Sequence, residues 1–306
     1  MKALPFATCW ALLSLTAVQA EAAATITLRN LRANVEIVPE DRPDISVRVE
    51  ADGSPDALPV VSRAGDAVTV EGTVATGQRG YRVSFNLDRG MNIAAMKRRS
   101  HLDRPHPAGL CLIVIHTPMK VKVKSNAYVF GHVGPGQSVD VNDSGDGEWR
   151  VDPVTETLSV KGSGGTDFHL ATSRSAAIDM LGTGNVSLGN TQSLYVSQYG
   201  SGDIVAETIA HDIDVSLSGI GDFEAKSVSG VMRVLITDAG NVRIQDGDIT
   251  KLTVRTIDGV GAVQFGGTVK DVDVNIGTAT KVHIHKVTGA IRKSTRERAA
   301  LEIDEQ

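Results

Sequence analysis

The chain has 306 residues, a formal net charge of −5, 41% hydrophobic and 22% charged residues, and aromatics at only 4%. That charge argues against non-specific nucleic-acid binding, and two cysteines are too few for a disulfide framework. Glycine, at 31 residues, suits a chain of short strands and tight corners.

Residues 1–20 read as an export signal. Lys2 supplies the positive start, Leu4 to Val18 is mostly apolar, and Val18-Gln19-Ala20 is a small-x-small cleavage site. Cys9 sits in mid-stretch after Phe6-Ala7-Thr8, which is not a lipoprotein signature. Cleavage removes Lys2 and Cys9, leaving a net charge of about −6 and Cys111 as the one remaining cysteine. No later apolar run reaches the roughly 18 residues that a spanning helix needs, so no membrane span is expected. The mature protein is expected in the periplasm or at the cell surface, and no cofactor is expected.

Residues 25–75 carry irregular strand signals: Ala33-Asn-Val35-Glu-Ile37-Val38, a turn at Pro39 to Pro43, Ile45-Ser-Val47-Arg-Val49, and Val68-Thr-Val70. They read as atypical first coils of a repeat protein. Residues 76–109 read as a basic surface loop. Arg89, Lys97, Arg98, Arg99 and Arg104 are its candidate contacts for an anionic envelope glycan, lipid headgroup or acidic partner. His101, His106, Cys111 and His116 lie five apart and are residue types that suit zinc. Leu110 to Ile115 reads as a strand, however, and odd spacing on a strand sends side chains to opposite faces. Cys111 therefore reads as a small buried apolar residue, and no metal site is assigned. Lys120, Lys122 and Lys124 alternate outward from Val121 and Val123, a pattern that keeps a strand face soluble.

Beyond Val121 the sequence repeats. A first apolar segment starts at Val139, Leu158, Ile178, Leu194, Ile213, Met232, Leu252 and Val272, at steps of 16 to 20. A second starts at Trp149, Phe168, Val186, Ile204, Phe223, Val242, Val263 and Val282, at steps of 18 to 21. Val121-x-Val123 with Val129 reads as one more unit in front. Both segments alternate with period two, as half-buried strands do. A unit of this size cannot cover its own core, but stacked copies can. The fold class is therefore all-β: a single-chain parallel β-solenoid with about 19 residues per coil and eight to nine regular coils. The domain reading is a signal at 1–20, a solenoid over 25–293 interrupted by the loop 76–109, and a charged flexible tail over 294–306.

The corners recur at Gly184-Asn185, Gly202-Asp203, Gly221-Asp222 and Gly240-Asn241. Glycine reaches positive φ at little cost, and Asn and Asp tolerate it better than most residues. A calcium reading of this column is weaker. Each coil offers one carboxylate at most, and Asn185 and Asn241 dilute the charge, whereas calcium takes six to eight oxygens.

Four features resemble the auto-transporter adhesin head (GIN) domain family: Val35-Glu-Ile37-Val38 with Asp44-Ile-Ser-Val47-Arg-Val49, Thr117-Pro118 before the repeats, the Gly-Ser-Gly-Asp-Ile and Gly-Ile-Gly-Asp-Phe corners, and the closing Lys286-Val-Thr-Gly289-Ala-Ile-Arg292. The resemblance implies an exported bacterial β-solenoid and brings no catalytic residues with it.

The function expected from these features is a non-catalytic binding or scaffold module of the envelope, with an envelope protein or glycan as partner. One alternative is a polysaccharide-active β-helix enzyme. Its candidate outer-face acids, Asp179, Asp214, Asp271 and Asp273, are scattered, with Asp179 and Asp214 two coils apart. Another alternative is an envelope regulatory protein that acts through a partner.

Overall fold

The computed structural model describes residues 23–50, 58–72, 110–256, 260–277, 280–296 and 299–306. Residues 1–20, read from the sequence as an export signal, and the basic residues Arg89, Lys97, Arg98, Arg99 and Arg104 lie outside the described residues. Among those described, every regular element is a strand.

The described residues begin with β1 (Ala24–Arg29) and β2 (Arg32–Glu40), joined at Asn30 with φ 49°. Then come β3 (Ser46–Glu50), β4 (Val60–Ala64), β5 (Ala67–Glu71) and β6 (Cys111–Pro118). Regular coils start at β7 (Lys120–Ser125) and β8 (Tyr128–Val133). They continue as β9 (Gly136–Asp143) with β10 (Asp146–Val151), β11 (Val154–Gly162) with β12 (Asp167–Leu170), β13 (Ser173–Met180) with β14 (Val186–Leu188), and β15 (Thr191–Gln198) with β16 (Ile204–Ile209). β17 (Ile213–Leu217) then shares its coil with the first part of β18 (Phe223–Ile236), and it pairs with the last part, Met232–Ile236, in the next coil. The long strands β18, β19 (Val242–Thr256) and β20 (Ala262–Ile276) each close one coil and open the next. β21 (Lys281–Val287), β22 (Ile291–Thr295) and β23 (Ala300–Glu305) complete the series. Every pairing from β7 onward is parallel, and the stack makes about nine turns, so the fold is a β-solenoid.

Coil-to-coil registry explains the repeat. Trp149, Phe168, Val186, Ile204, Phe223, Val242, Val263 and Val282 stack directly on one another as a single inward column. All are essentially shielded from solvent, and Trp149, Phe168 and Phe223 are among the largest buried side chains. The first-segment column needs one correction. Leu158 pairs with Ala176, and Ala176 with Leu194, so Ile178 belongs one inward position later. The uneven steps of 20 and 16 become two steps of 18. Likewise Val129 stacks on Gly147, and the partner of Trp149 is Gly131. A Cβ at Gly131 would overlap the Trp149 indole, which fills the space that glycine leaves.

The N-terminal coils do not stack in chain order. β1 lies between β5 and β7, and β2 between β6 and β8. Among the described residues, β1 and β2 thus form the second rung, and β5 with β6 forms the first. β4 then pairs antiparallel with β5, and β3 with β6. These strands cover an edge that would otherwise offer open ladder groups.

At the other end the structure goes further than the sequence reading. Residues read as a flexible tail include β23, which pairs in parallel with β21, putting Leu301 on Val282 and Ile303 on Ile284. The alternation Leu301-x-Ile303 supplies an inward face for one more rung.

The corner glycines also serve a different purpose from the expected one. Positive φ is confined, among described glycines, to Gly65, Gly147, Gly230 and Gly247. Gly184, Gly202, Gly221 and Gly240 have no such conformation. Close approach of adjacent coils is what excludes a side chain there: a Cβ at Gly202 would overlap the carbonyl oxygen of Gly184.

Candidate functional site

The corner between the two main ladders is built from five residues per coil. Three coils read Leu181-Gly-Thr-Gly-Asn185, Tyr199-Gly-Ser-Gly-Asp203 and Ser218-Gly-Ile-Gly-Asp222. Backbone N–H groups of Tyr199, Ser201, Ser218 and Ile220 donate to the preceding coil's carbonyls, at 2.7–3.3 Å. This stacks Leu181, Tyr199 and Ser218 in one row and Thr183, Ser201 and Ile220 in another.

The last corner position forms a ladder of its own. Asp167 Oδ1 accepts from Asn185 N at 2.7 Å, Asn185 Oδ1 from Asp203 N at 3.0 Å, and Asp203 Oδ1 from Asp222 N at 3.0 Å. Asp222 Oδ1 then accepts from Asn241 N at 2.9 Å, and Asn241 Oδ1 from Ala262 N at 3.0 Å. Each side chain thereby satisfies a backbone donor that the turn leaves unpaired. The two asparagines add a second bond, since their Nδ2 groups donate back to Asp167 and Asp222. Between Asp203 and Asp222 there is no such side-chain donor. Burial pushes the Asp203 carboxyl up, opposed by the Asp222 N–H, and the Asp222 and Glu224 charges add to the rise. The Asp/Asn column is thus occupied in holding coil to coil, and among the described residues no group of three or more His, Cys, Asp or Glu is placed to hold a metal ion.

Outside this ladder the corner forms an open trough with a volume of about 340 Å³. Leu181, Tyr199 and Ser218 make one wall; Thr183, Ser201 and Ile220 make the other. Gly182, Gly200 and Gly219 form a floor of bare backbone. At the next coil Asp238 takes the glycine position and closes the floor at that end. The walls expose apolar surface: Leu181 is 46%, Tyr199 58% and Ile220 66% accessible, and Val260 continues the Ile220 side. The side chains of Thr183, Ser201, Tyr199 and Asp238 have no intramolecular hydrogen bond or ion pair among the described residues. Sequence inspection missed this site because its members lie about one coil apart and meet only when the registry is known.

The other sequence candidates are dispersed. Cys111 shares the inward parity of Ile113 and Ile115, whereas His116 faces outward and contacts Glu40 at 3.0 Å. Cys111 is half-buried rather than fully enclosed, and burial pushes its thiol up. Lys122 pairs with Asp140 at 2.9 Å. Of the outer-face acids, Asp179 is bound by Lys161 at 2.9 Å, Asp273 faces Arg255 at 3.6 Å, and Asp271 Oδ1 accepts from Ala290 N. Asp214 lies in a different outward row from Asp179. Among the described residues one carboxyl is fully enclosed: Asp143, which accepts from Thr166 Oγ1 at 2.6 Å and from Gly145 N at 3.2 Å. Burial pushes it up.

No protein-family model matches this chain, and no curated protein matches it.

Proposed function

We infer that the chain is a non-catalytic binding module, exported to the bacterial envelope and related to the GIN-domain solenoids. The observation that carries this reading is the trough. A solenoid presents long lateral surfaces, and here one of them collects apolar side chains and unpaired polar groups on a bare backbone floor. Extended binding surfaces of this kind need no enclosed pocket. Export is supported by the leader pattern of residues 1–20, and the family relation by the corner motifs and the closing Lys286-Val-Thr-Gly289 segment. A hydrolytic reading finds less support, because a glycosidase needs two carboxyl groups across one bond and Asp179 is engaged by Lys161.

The test is retention of the purified mature protein on envelope fractions and a glycan array, with reducing ends assayed in parallel. The reading expects retention without new reducing ends. Release of new reducing ends would overturn it in favour of an enzyme.

A further inference from the structure

We propose that the corner trough is a binding site for a neutral, unbranched polysaccharide lying parallel to the solenoid axis, a proposal that rests on the binding-module reading and names its ligand. Three properties of the trough point to sugar. First, its walls alternate chemistry on the scale of one pyranose ring. Tyr199, Leu181 and Ile220 offer apolar contact for the C–H faces of a sugar, and the hydroxyls of Thr183, Ser201 and Tyr199 have free hydrogen-bonding capacity for its hydroxyl groups. Second, the trough is open along its length. Adjacent coils stand about 4.8 Å apart, close to the length of one pyranose unit in an extended glycan, so the three coils present one subsite each, walled by Leu181 and Thr183, Tyr199 and Ser201, and Ser218 and Ile220. The glycine floor lets the chain lie directly on backbone: a Cβ at Gly200 would overlap the carbonyl oxygen of Gly182, so no side chain can interrupt it there.

Third, the charge is one-sided. Asp238 closes one end of the floor, Asp203 and Asp222 flank the corner, and no Lys or Arg lines the trough. A polyanionic glycan would meet uncompensated like charge, which is unfavourable at short range. A neutral chain meets none, and Asp238 can accept from its hydroxyl groups.

The experiment is calorimetric titration of the mature protein with cellohexaose, mannohexaose and xylohexaose, whose β-1,4 links keep them extended, and with an oligogalacturonate of equal length as the anionic comparison. Variants are Tyr199→Ala in the wall and Tyr195→Ala on the sheet face outside it. Both tyrosines are more than half exposed, so both variants should keep the wild-type far-UV spectrum and melting temperature. The expected result is saturable binding of at least one neutral hexasaccharide, weakened roughly tenfold by Tyr199→Ala and unchanged by Tyr195→Ala.

The proposal is overturned if no neutral hexasaccharide binds, if Tyr199→Ala binds as well as wild type, or if the oligogalacturonate binds more tightly. A Tyr199→Ala variant that instead turns a dimer into a monomer, with no sugar bound by either form, would also overturn it and assign the trough to a second copy of the chain. Retention on envelope fractions that is indifferent to Tyr199→Ala would leave the binding-module reading standing and remove this one. New reducing ends would remove the broader reading itself.

Discussion

Replacing Gly200 separates two explanations of why the corners need glycine. If the cause were conformational, a residue tolerant of positive φ would be accepted, and Asn would outperform Ala. The structure assigns the cause to space instead: Gly200 has no positive φ, and an added Cβ would overlap the Gly182 carbonyl oxygen, part of the backbone of the preceding coil. That atom cannot swing aside as a side chain would, so the coils must separate locally. Overpacking of this kind costs typically 1–3 kcal/mol, or more, and Gly200→Ala and Gly200→Asn should pay alike. Gly65 is the opposite case: its φ is +57°, and an added Cβ meets nothing within 4 Å. There Gly65→Ala should cost about 1 kcal/mol from the left-handed backbone, and Gly65→Asn less. Urea unfolding of the four variants, followed by far-UV circular dichroism, gives the comparison. A Gly200→Asn variant as stable as wild type, beside a destabilised Gly200→Ala, would refute the steric account.

Other perturbations follow from the core and the buried carboxyl. Phe223→Ala empties a fully buried place in the stacked column between Ile204 and Val242; it should cost about 3–5 kcal/mol, and a urea midpoint within error of wild type would contradict the registry. Asp143 has a folded-state pKa above its unfolded value, so the folded state holds the proton more tightly. Its contribution is greatest below the unfolded pKa, about 3.9, and falls as pH rises through the folded value. Asp143→Asn keeps an acceptor but not the titration, so its stability relative to wild type should increase from pH 4 upward. A constant difference between the two proteins across urea titrations from pH 3.5 to 7 would show that this carboxyl is not shifted.

How far the sequence revealed this fold depends on residue size. The column from Trp149 to Val282 is readable because every member is apolar and larger than alanine. The other column slipped at Ala176, a small residue passed over for the bulkier Ile178, although the ladder pairs Ala176 with Leu158 and Leu194. Gly131 was hidden in the same way, since the volume at its position comes from Trp149 on the next coil. The insertion of β1 and β2 between later strands left no local trace, because it rests on pairings such as Val35 with Ile113 across long stretches of chain. In the last rung, the charges of β23 concealed an alternation that places Leu301 on Val282. The trough lay deeper still. Leu181, Tyr199 and Ile220 look like isolated exposed residues, which are ordinary in any protein, until registry sets them around one glycine floor.

Chemical-shift mapping of the amide resonances during titration with the neutral hexasaccharide that binds most tightly tests the central claim most directly. The account predicts that the largest shifts fall on Leu181–Thr183, Tyr199–Ser201, Ser218–Ile220 and Asp238, with the opposite sheet faces undisturbed. Shifts centred elsewhere on the solenoid, or none at saturating sugar, would contradict it.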